Sequence, residues 1–577
     1  MSDPSRAIRA IAFTFLAALA AARSGAAQAT GDNLLIVIAD DLGVDQVACY
    51  GEGTRTAPTP TIDALAASGV LFRNAWAHPL CSPTRAALHT GRRPFRTGIG
   101  TALAGANDPV LALAETTLPE LVGAAGHATA LIGKWHLGTN GIGGALAPNA
   151  AGWSHFAGAL AGAVPSYYQW VRVVDGTARM HTSYATSTSV DDALAWIGAR
   201  SGPWLCVVVF HAPHTPYEAP PASLHSEDLT GLDPNTTPRP FYRAMVEAMD
   251  RELARLLAGL GAARARTNVI FLGDNGTPGT IAMAPFTRSH GKGTPYEGGV
   301  NVPLIVAGPI VAAPGRESAA LVEASDVFTT AAALCGVDAR AALPAGTALD
   351  GVSFVDVLAN PSAAGSRRSV FAERFDDGDE DACVRDARHK LIRRRSGSTE
   401  TFELYDLVAD PFEADELLAG SLDAEQQRAW EELRAVLAAA RDEGLALRFG
   451  AGCGGLALDA AAGAPTLGAG FTVAIESIDP AASAAALLLG LSRDLAGSVA
   501  LPLPLDAFGM PGCALLVSIE DAIPLPIGAG RAAFGFAVPA EPSLLDARFH
   551  SQGLVLQLAA NPAGVLLSNA LTTVVGA

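Results

Sequence analysis

Six short clusters in this sequence carry residue types that do chemistry: Asp40-Asp41, Cys81-Ser-Pro-Thr-Arg85, Gly133-Lys-Trp-His136, His211-Ala-Pro-His214, Gly273-Asp-Asn275 and His290-Gly-Lys292. The carboxylates of Asp40, Asp41 and Asp274 and the amide of Asn275 are hard oxygen ligands suited to Ca2+ or Mg2+. Two lysines, an arginine and histidines around such a cation form a receptor for a tetrahedral oxyanion. An Asp-Asp pair alone is as readily a solvated turn or a helix cap; six clusters together favour a site. Lysine is scarce, with only Lys134, Lys292 and Lys390 in the chain, and two of the three fall in these clusters. His211 and His290 read as supporting residues, and His89 has no evident chemical role.

The elements around the clusters explain how they could meet. Residues 33–39 form a continuous apolar run that ends at Asp40, and residues 204–210 form another that ends at His211. Residues 268–272 lead to Asp274, residues 128–133 lead to Lys134, and residues 302–307 form a further apolar run. Such runs read as buried, parallel strands. Helical patterns over 61–68, 84–90, 118–125, 189–199 and 240–260 alternate with them, which predicts an α/β domain with its site at the strands' carboxyl ends. Residues 141–162 and 166–181 read as loops rimming the site. There Tyr167, Tyr168, Gln169 and Trp170 are either a sugar-stacking platform or core packing. From about residue 366 the pattern changes to short antiparallel strands (370–374, 388–393, 402–406) and a charged helix over 423–441. Residues 453–577 hold few charges and short apolar runs separated by turns, which reads as a β-sandwich. The expected organisation is a signal peptide over 1–29, a catalytic domain over 30–365, a subdomain over 366–446 and an accessory β-domain over 453–577.

Composition narrows the function classes. The 577 residues are half hydrophobic, 17% are charged, and the formal net charge is −18. That charge argues against nucleic acid as a partner and requires a locally basic pocket for any polyanionic substrate. Arg6 and Arg9, the apolar residues 10–22 and Ala27-Gln28-Ala29 read as a cleaved export signal. This predicts a periplasmic or extracellular protein with no stable membrane insertion; an uncleaved anchor is the alternative. Seven cysteines are an odd number for an exported chain, so at least one stays free or is used chemically. Cys206 and Cys335 lie in apolar runs and read as buried thiols. Cys453 and Cys513 enclose much of one small β-region and are candidates for a disulfide.

Cys81-Ser-Pro-Thr-Arg85, continued by residues 86–91, resembles the C-x-P-x-R signature of the formylglycine-dependent sulfatase family, within the alkaline-phosphatase-like superfamily. The other clusters follow in family order, and Glu403–Leu407 with Asp410-Pro-Phe-Glu413 resembles the family's C-terminal subdomain; the resemblance spans residues 32–445. It implies an α/β fold with a central mixed sheet and a small antiparallel subdomain, to which this chain adds the C-terminal β-sandwich. It implies that a formylglycine-generating enzyme oxidises Cys81 to an aldehyde that hydrates to a gem-diol. One Ca2+ would be held by Asp40, Asp41, the modified Cys81, Asp274 and Asn275. Arg85 and Lys134 would stabilise the attacking alkoxide. Lys134, Lys292 and His214 would neutralise the sulfate, and Lys292 or His214 would assist the leaving alcohol. His136 would take a proton from the second hydroxyl, so that the covalent sulfo-enzyme releases sulfate. The substrate would be a sulfated small molecule, such as an aryl sulfate, or a sulfated carbohydrate. Rival readings are a phosphodiesterase or phosphonate monoester hydrolase of the same superfold, and a non-catalytic secreted binding protein.

Overall fold

The computed structural model describes residues 33–105, 108–138 and 143–577; the signal peptide expected over residues 1–29 lies outside them. The strand β1 (Asn33–Ala39) is buried along its whole length. Its side chains alternate between two cores: Leu35, Val37 and Ala39 enter one, and Leu34, Ile36 and Ile38 enter the other. A strand covered on both faces must be apolar at every position, which is why it reads as a run and not as an alternation.

β1 lies inside a ten-stranded mixed sheet. The other strands are β2 (Gly69–Trp76), β3 (Ala128–Lys134), β4 (His155–Ala159), β5 (Trp170–Val174), β6 (Thr177–His181), β7 (Trp204–Phe210), β8 (Thr267–Gly273), β9 (Leu304–Ala307) and β10 (Arg316–Glu323). Their order is β10-β2-β9-β8-β1-β7-β3-β4-β5-β6. The central strands β8, β1, β7, β3 and β4 are parallel. Ala39 pairs with Phe210 on one side and Gly273 on the other, so three strands end at the same level.

One face of the sheet is covered by helices Pro60–Ala67, Ala185–Gly198 and Pro238–Gly259, which insert Ile62, Leu65, Val190, Ile197, Met245, Met249 and Leu253. The other is covered by helices Cys81–Thr90, Leu118–Ala124 and Ala324–Leu334, which insert Ala86, Leu88, Leu121, Val122, Val327 and Phe328. Each large apolar side chain buried in this way contributes about 1.5–3 kcal/mol, so the two cores hold the strand ends rigidly. The sheet is wider than the apolar runs predicted. β4, β5 and β6 occupy segments read as rim loops, and β10 was not expected at all. In β6 every residue from Thr177 to Met180 is exposed, and such an edge strand lacks the buried alternation that would mark it in the sequence. The helix at the Cys81 cluster begins at Cys81 itself, not at residue 84. Pro83 is tolerated in its first turn, where the missing N–H has no intrahelical partner.

A second, four-stranded antiparallel sheet follows: β11 (Val370–Asp376), β12 (Asp379–Arg385), β13 (His389–Ser396) and β14 (Thr399–Asp406). Helix Ala424–Ala440 packs on one face through Leu433 and Leu437. The other face packs against Trp76, Val300 and Leu321. The remaining chain forms a five-stranded sheet, in the order Leu445–Phe449, Val565–Val574, Arg548–Leu556, Ala484–Gly490 and Asp521–Leu525, and a three-stranded sheet of Ala457–Ala462, Gly470–Glu476 and Ala532–Ala537. Their shared core holds Leu458, Phe471, Ile475, Leu487, Val555 and Leu571. The first of these strands starts ahead of the composition change, because Leu445 and Phe449 pair with Val574 and Ala570 of the last strand. Cys453 and Cys513 are joined by a disulfide, while Cys206 and Cys335 are buried free thiols. No described helix is long and apolar enough to cross a membrane.

Candidate active site

The carboxyl ends of β1, β8, β7 and β3 deliver Asp40-Asp41, Asp274-Asn275, His211 and Lys134 to one place, and the helix at Cys81 abuts them. The carboxylates are tightly interlocked. The Asp41 N–H donates to Asp274 Oδ1 (3.2 Å), and Asn275 Nδ2 donates to Asp41 Oδ1 (2.8 Å). Lys134 Nζ donates to Asp40 Oδ2, and Lys292 Nζ donates to Asp41 Oδ1. Arg85 donates from Nη2 to Asp274 Oδ2 (2.7 Å) and from Nη1 to the Lys134 carbonyl (3.0 Å). His214 stands at the more open side, with Nε2 3.9 Å from Asp41 Oδ2 and Nδ1–H donating to the Thr215 carbonyl (2.7 Å).

Buried charges survive only when paired. Burial pushes the Asp40 carboxyl up, but Lys134, His214, Arg85 and Lys292 outweigh this and hold it well below the usual carboxylate range. Asp274 is raised to about 6 by burial and by the charge of Asp40, against the pull of Arg85 and Lys134. Burial disfavours the charge on Lys292, yet Asp41 raises its pKa above that of a free lysine. So many carboxylates in one place fit a divalent cation. Asp40, Asp41 and His214 can offer ligand atoms to a single ion. Asp40 Oδ1 and Asn275 Oδ1 are buried acceptors without a hydrogen-bond partner, a costly state that a cation would relieve. The residues present therefore fit the expected calcium.

Cys81 is buried, and burial raises its thiol pKa. Its Sγ lies 3.2 Å from His136 Nδ1, and the other ring nitrogen, Nε2, lies 2.9 Å from the Leu103 carbonyl. A carbonyl only accepts, so Nε2 carries the proton and Nδ1 faces residue 81. Burial, followed by the nearby Lys134, holds the His136 pKa well below that of a free imidazole. An unprotonated Nδ1 aimed at residue 81 is the arrangement of a proton acceptor. All ten predicted site residues are therefore brought together.

Other expectations resolve differently. Tyr167 is fully buried, and its O–H reaches the His211 and His214 carbonyls at 2.7 and 2.8 Å. Trp170 is buried and donates to the Ser183 carbonyl at 3.2 Å. These aromatics pack the fold and are no platform for a sugar. His211 is buried, and desolvation pushes it down to about 3. His290 stacks on Tyr296 at 3.7 Å. His89 donates from Nδ1 to the Arg85 carbonyl (2.8 Å), accepts from Trp153 Nε1 (3.3 Å) and meets Trp135 edge-on, so its role is structural. Sequence reasoning missed Asp45 and Thr277, which tie the two acidic loops. Thr277 Oγ1 donates to Asp45 Oδ1 (2.5 Å) and accepts from the Gly43 N–H (3.1 Å). It also missed Tyr242, whose O–H donates to the Asp41 carbonyl (2.7 Å). Gly133, just before Lys134, has φ 100°, and a Cβ there would overlap the Val209 carbonyl of the neighbouring strand.

Two family models match the chain: Sulfatase over residues 32–337, and N-sulphoglucosamine sulphohydrolase, C-terminal, over residues 288–443. Human arylsulfatase A is 31% identical over 461 residues, covering 70% of this chain and 86% of the relative. Human N-acetylgalactosamine-6-sulfatase is 31% identical over 359 residues, covering 56% of this chain; the match spans 65% of the relative, just under two thirds. Among solved structures, Ps i-CgsB in complex with k-i-k-neocarrahexaose superposes with a TM-score of 0.59 at 25% identity, covering 70% of this chain and 92% of the other. PsFucS1 sulfatase from Pseudoalteromonas sp. shares the fold with a TM-score of 0.57 at 23% identity, covering 76% and 95%. The first family model alone covers more than half of the sequence and every residue of the cluster just described, and so the chain belongs to the sulfatase family of sulfuric ester hydrolases.

Proposed function

We propose that this protein hydrolyses a sulfate ester, with Cys81 as the precursor of a formylglycine nucleophile. The observation that carries the reading is the placement of residue 81, with the proton-accepting Nδ1 of His136 on one side and the carboxylate cluster with Lys134 and Lys292 around it. Formylglycine would supply a hydrated aldehyde as nucleophile, and Ca2+ would supply positive charge to the sulfate oxygens. Asp40, Asp41, Asp274 and Asn275 would hold the cation. Arg85, locked by Asp274 and the Lys134 carbonyl, and Lys134 itself stabilise negative charge at residue 81. Lys292 and His214, at the open side, bind the substrate sulfate, and one of the two donates a proton to the departing alcohol oxygen. His136 accepts a proton from residue 81 at Nδ1.

Sulfated carbohydrate is the favoured substrate class, supported by relatives named for N-acetylgalactosamine-6-sulfate and by a solved relative in complex with a neocarrahexaose. Aryl sulfates serve as small surrogates. We further propose export through residues 1–29, maturation by a formylglycine-generating enzyme, and a division into a catalytic unit (30–365), a subdomain (366–446) and a C-terminal β-unit. The test is made on full-length protein co-produced with that maturation enzyme. The Cys81 peptide should have the lower mass of the aldehyde form and should react with a hydrazide. Cys81→Ala should fold and release no sulfate from an aryl sulfate or a defined sulfated oligosaccharide; appreciable turnover by that variant would overturn the reading.

A further inference from the structure

A closed circuit of hydrogen bonds runs behind the nucleophile position, and the mechanism does not use it. Ser82 follows Cys81 in the first turn of its helix and is fully buried. Its hydroxyl donates to the backbone carbonyl of His136 at 3.0 Å. The same oxygen accepts from the backbone N–H of Leu103 at 3.2 Å. The Leu103 carbonyl, in turn, accepts from His136 Nε2–H at 2.9 Å. Thus one hydroxyl ties the backbone of His136 to the residue whose carbonyl selects which nitrogen of the His136 ring bears a proton. Gly162 packs against the same Nε2 end of the ring. A Cβ at residue 162 would overlap Nε2 and Cε1 of His136, so the segment approaches the ring as closely as a bare backbone allows.

We infer that Ser82 is a positioning residue for His136: through Leu103 it fixes the ring's tautomer and orientation, with Gly162 packed on the ring, so that the bare Nδ1 faces residue 81. The physical requirement is plain. An imidazole serves as base at one nitrogen only, and a hydrogen bond to the other nitrogen determines which. In such arrangements a carboxylate, a backbone carbonyl or a water makes that bond. Here it is a backbone carbonyl on a loop segment, and Ser82 is the side chain that anchors this segment to the nucleophile's own helix. Without the hydroxyl, Leu103 N–H and the His136 carbonyl each lose a buried partner and both can shift. A displacement of about 1 Å at a reacting group costs on the order of 10²-fold in rate.

The inference rests on the proposed role of His136, and the experiment separates the two. The full-length chain with unconverted Cys81, labelled with 15N in its histidine rings, reads the tautomer directly, with His136→Ala identifying the signals. The expected wild-type spectrum has His136 protonated at Nε2 and bare at Nδ1. In Ser82→Ala that signal pair should move toward a mixture of tautomers, and Ser82→Thr should keep it. In matured enzyme acting on an aryl sulfate, Ser82→Ala should lose about 10²-fold in kcat, with the hydroxyl-bearing Ser82→Thr recovering most of it. Gly162→Ala should perturb the same ring signals by crowding the Nε2 end of the ring. A wild-type ring protonated at Nδ1 overturns the inference without any variant. So does a folded Ser82→Ala that keeps both the wild-type tautomer and wild-type turnover while His136→Ala is inactive. If His136→Ala itself turns over normally, the functional reading of His136 fails, whatever Ser82 does.

Discussion

Replacing Cys453 and Cys513 together by serine tests whether the C-terminal unit is mechanically separate from the chemistry. The disulfide closes a separation of 60 residues. In the chain-entropy model, opening a loop of that length releases about 4 kcal/mol of restriction on the unfolded chain. Both cysteines are buried in the core formed with Leu456, Leu516 and Leu566, and the Leu567 N–H donates to Cys453 Sγ at 3.2 Å. The serine hydroxyls would sit in largely apolar surroundings; the one replacing Cys453 can accept from the Leu567 N–H, and the one replacing Cys513 would add about 1 kcal/mol if left without a partner. For a unit of this size, 1 kcal/mol corresponds to about 4 °C. The transition of the C-terminal unit should thus fall by roughly 15 °C or more. The unit meets the rest of the chain mainly on helix Ala424–Ala440, through Arg493 with Glu431 and Arg548 with Glu432, whereas the candidate catalytic side chains all lie between Asp40 and Lys292. Turnover on a small aryl sulfate should be unchanged at a temperature where both forms are folded. Scanning calorimetry beside a steady-state assay reads both quantities. An unaltered melting profile would refute the loop-closure argument, and a folded double variant that had lost turnover would refute the separation of the unit from the site.

Asp274→Ala removes a carboxylate that accepts from both Arg85 and the Asp41 N–H, so calcium affinity and turnover should fall together. A wild-type chain in Ca2+ at 100 times its dissociation constant gains about 2.7 kcal/mol of stability; calcium titration of the melting temperature should show that gain, and the variant should lose most of it. A chelator should act likewise on the wild type, and a fully active chelated enzyme would count against the cation. His89 is held near 4 by burial, against an ordinary 6.5. The unfolded chain therefore binds a proton there that the folded chain refuses, and stability is lost as pH falls from about 6.5 to about 4. His89→Leu should flatten that acid limb in urea unfolding at pH 7 and pH 5; an identical slope in both proteins would exclude His89 as a contributor.

Charged and polar residues that stand at the ends of apolar runs were legible in the sequence, because there chain order and spatial order coincide. Asp40 follows β1, Lys134 ends β3, His211 follows β7 and Asp274 follows β8, and register in a parallel sheet does the rest. Elements at the sheet's edge were not legible: Thr177–His181 has almost no buried face to create a period. The aromatic segment at Tyr167 was ambiguous for another reason. A tyrosine that stacks on a sugar and one that closes a buried turn are the same residue, and only the partners of its hydroxyl, here the His211 and His214 carbonyls, distinguish them. The Ser82–Leu103–His136 circuit left no trace because each of its three hydrogen bonds ends on a backbone group, which every residue carries.

The site's backbone shows why these hydroxyls matter. Asp41 and His136 have φ of 68° and 59°, in the left-handed region that costs a non-glycine residue about 1–2 kcal/mol. Each follows the carboxyl end of a central strand, and the sharp turn there places the side chain at the strand ends, in the carboxylate cluster in one case and beside residue 81 in the other. A conformation of that kind persists only if its surroundings enforce it. At both positions the enforcing contact is of the same type: a buried hydroxyl donates to the carbonyl of the strained residue, Tyr242 to Asp41 at 2.7 Å and Ser82 to His136 at 3.0 Å. The two hydroxyls approach from opposite faces of the sheet, Tyr242 from helix Pro238–Gly259 and Ser82 from helix Cys81–Thr90. The helices that cover the two cores therefore also hold, through one side chain each, the two turns on which the proposed chemistry depends.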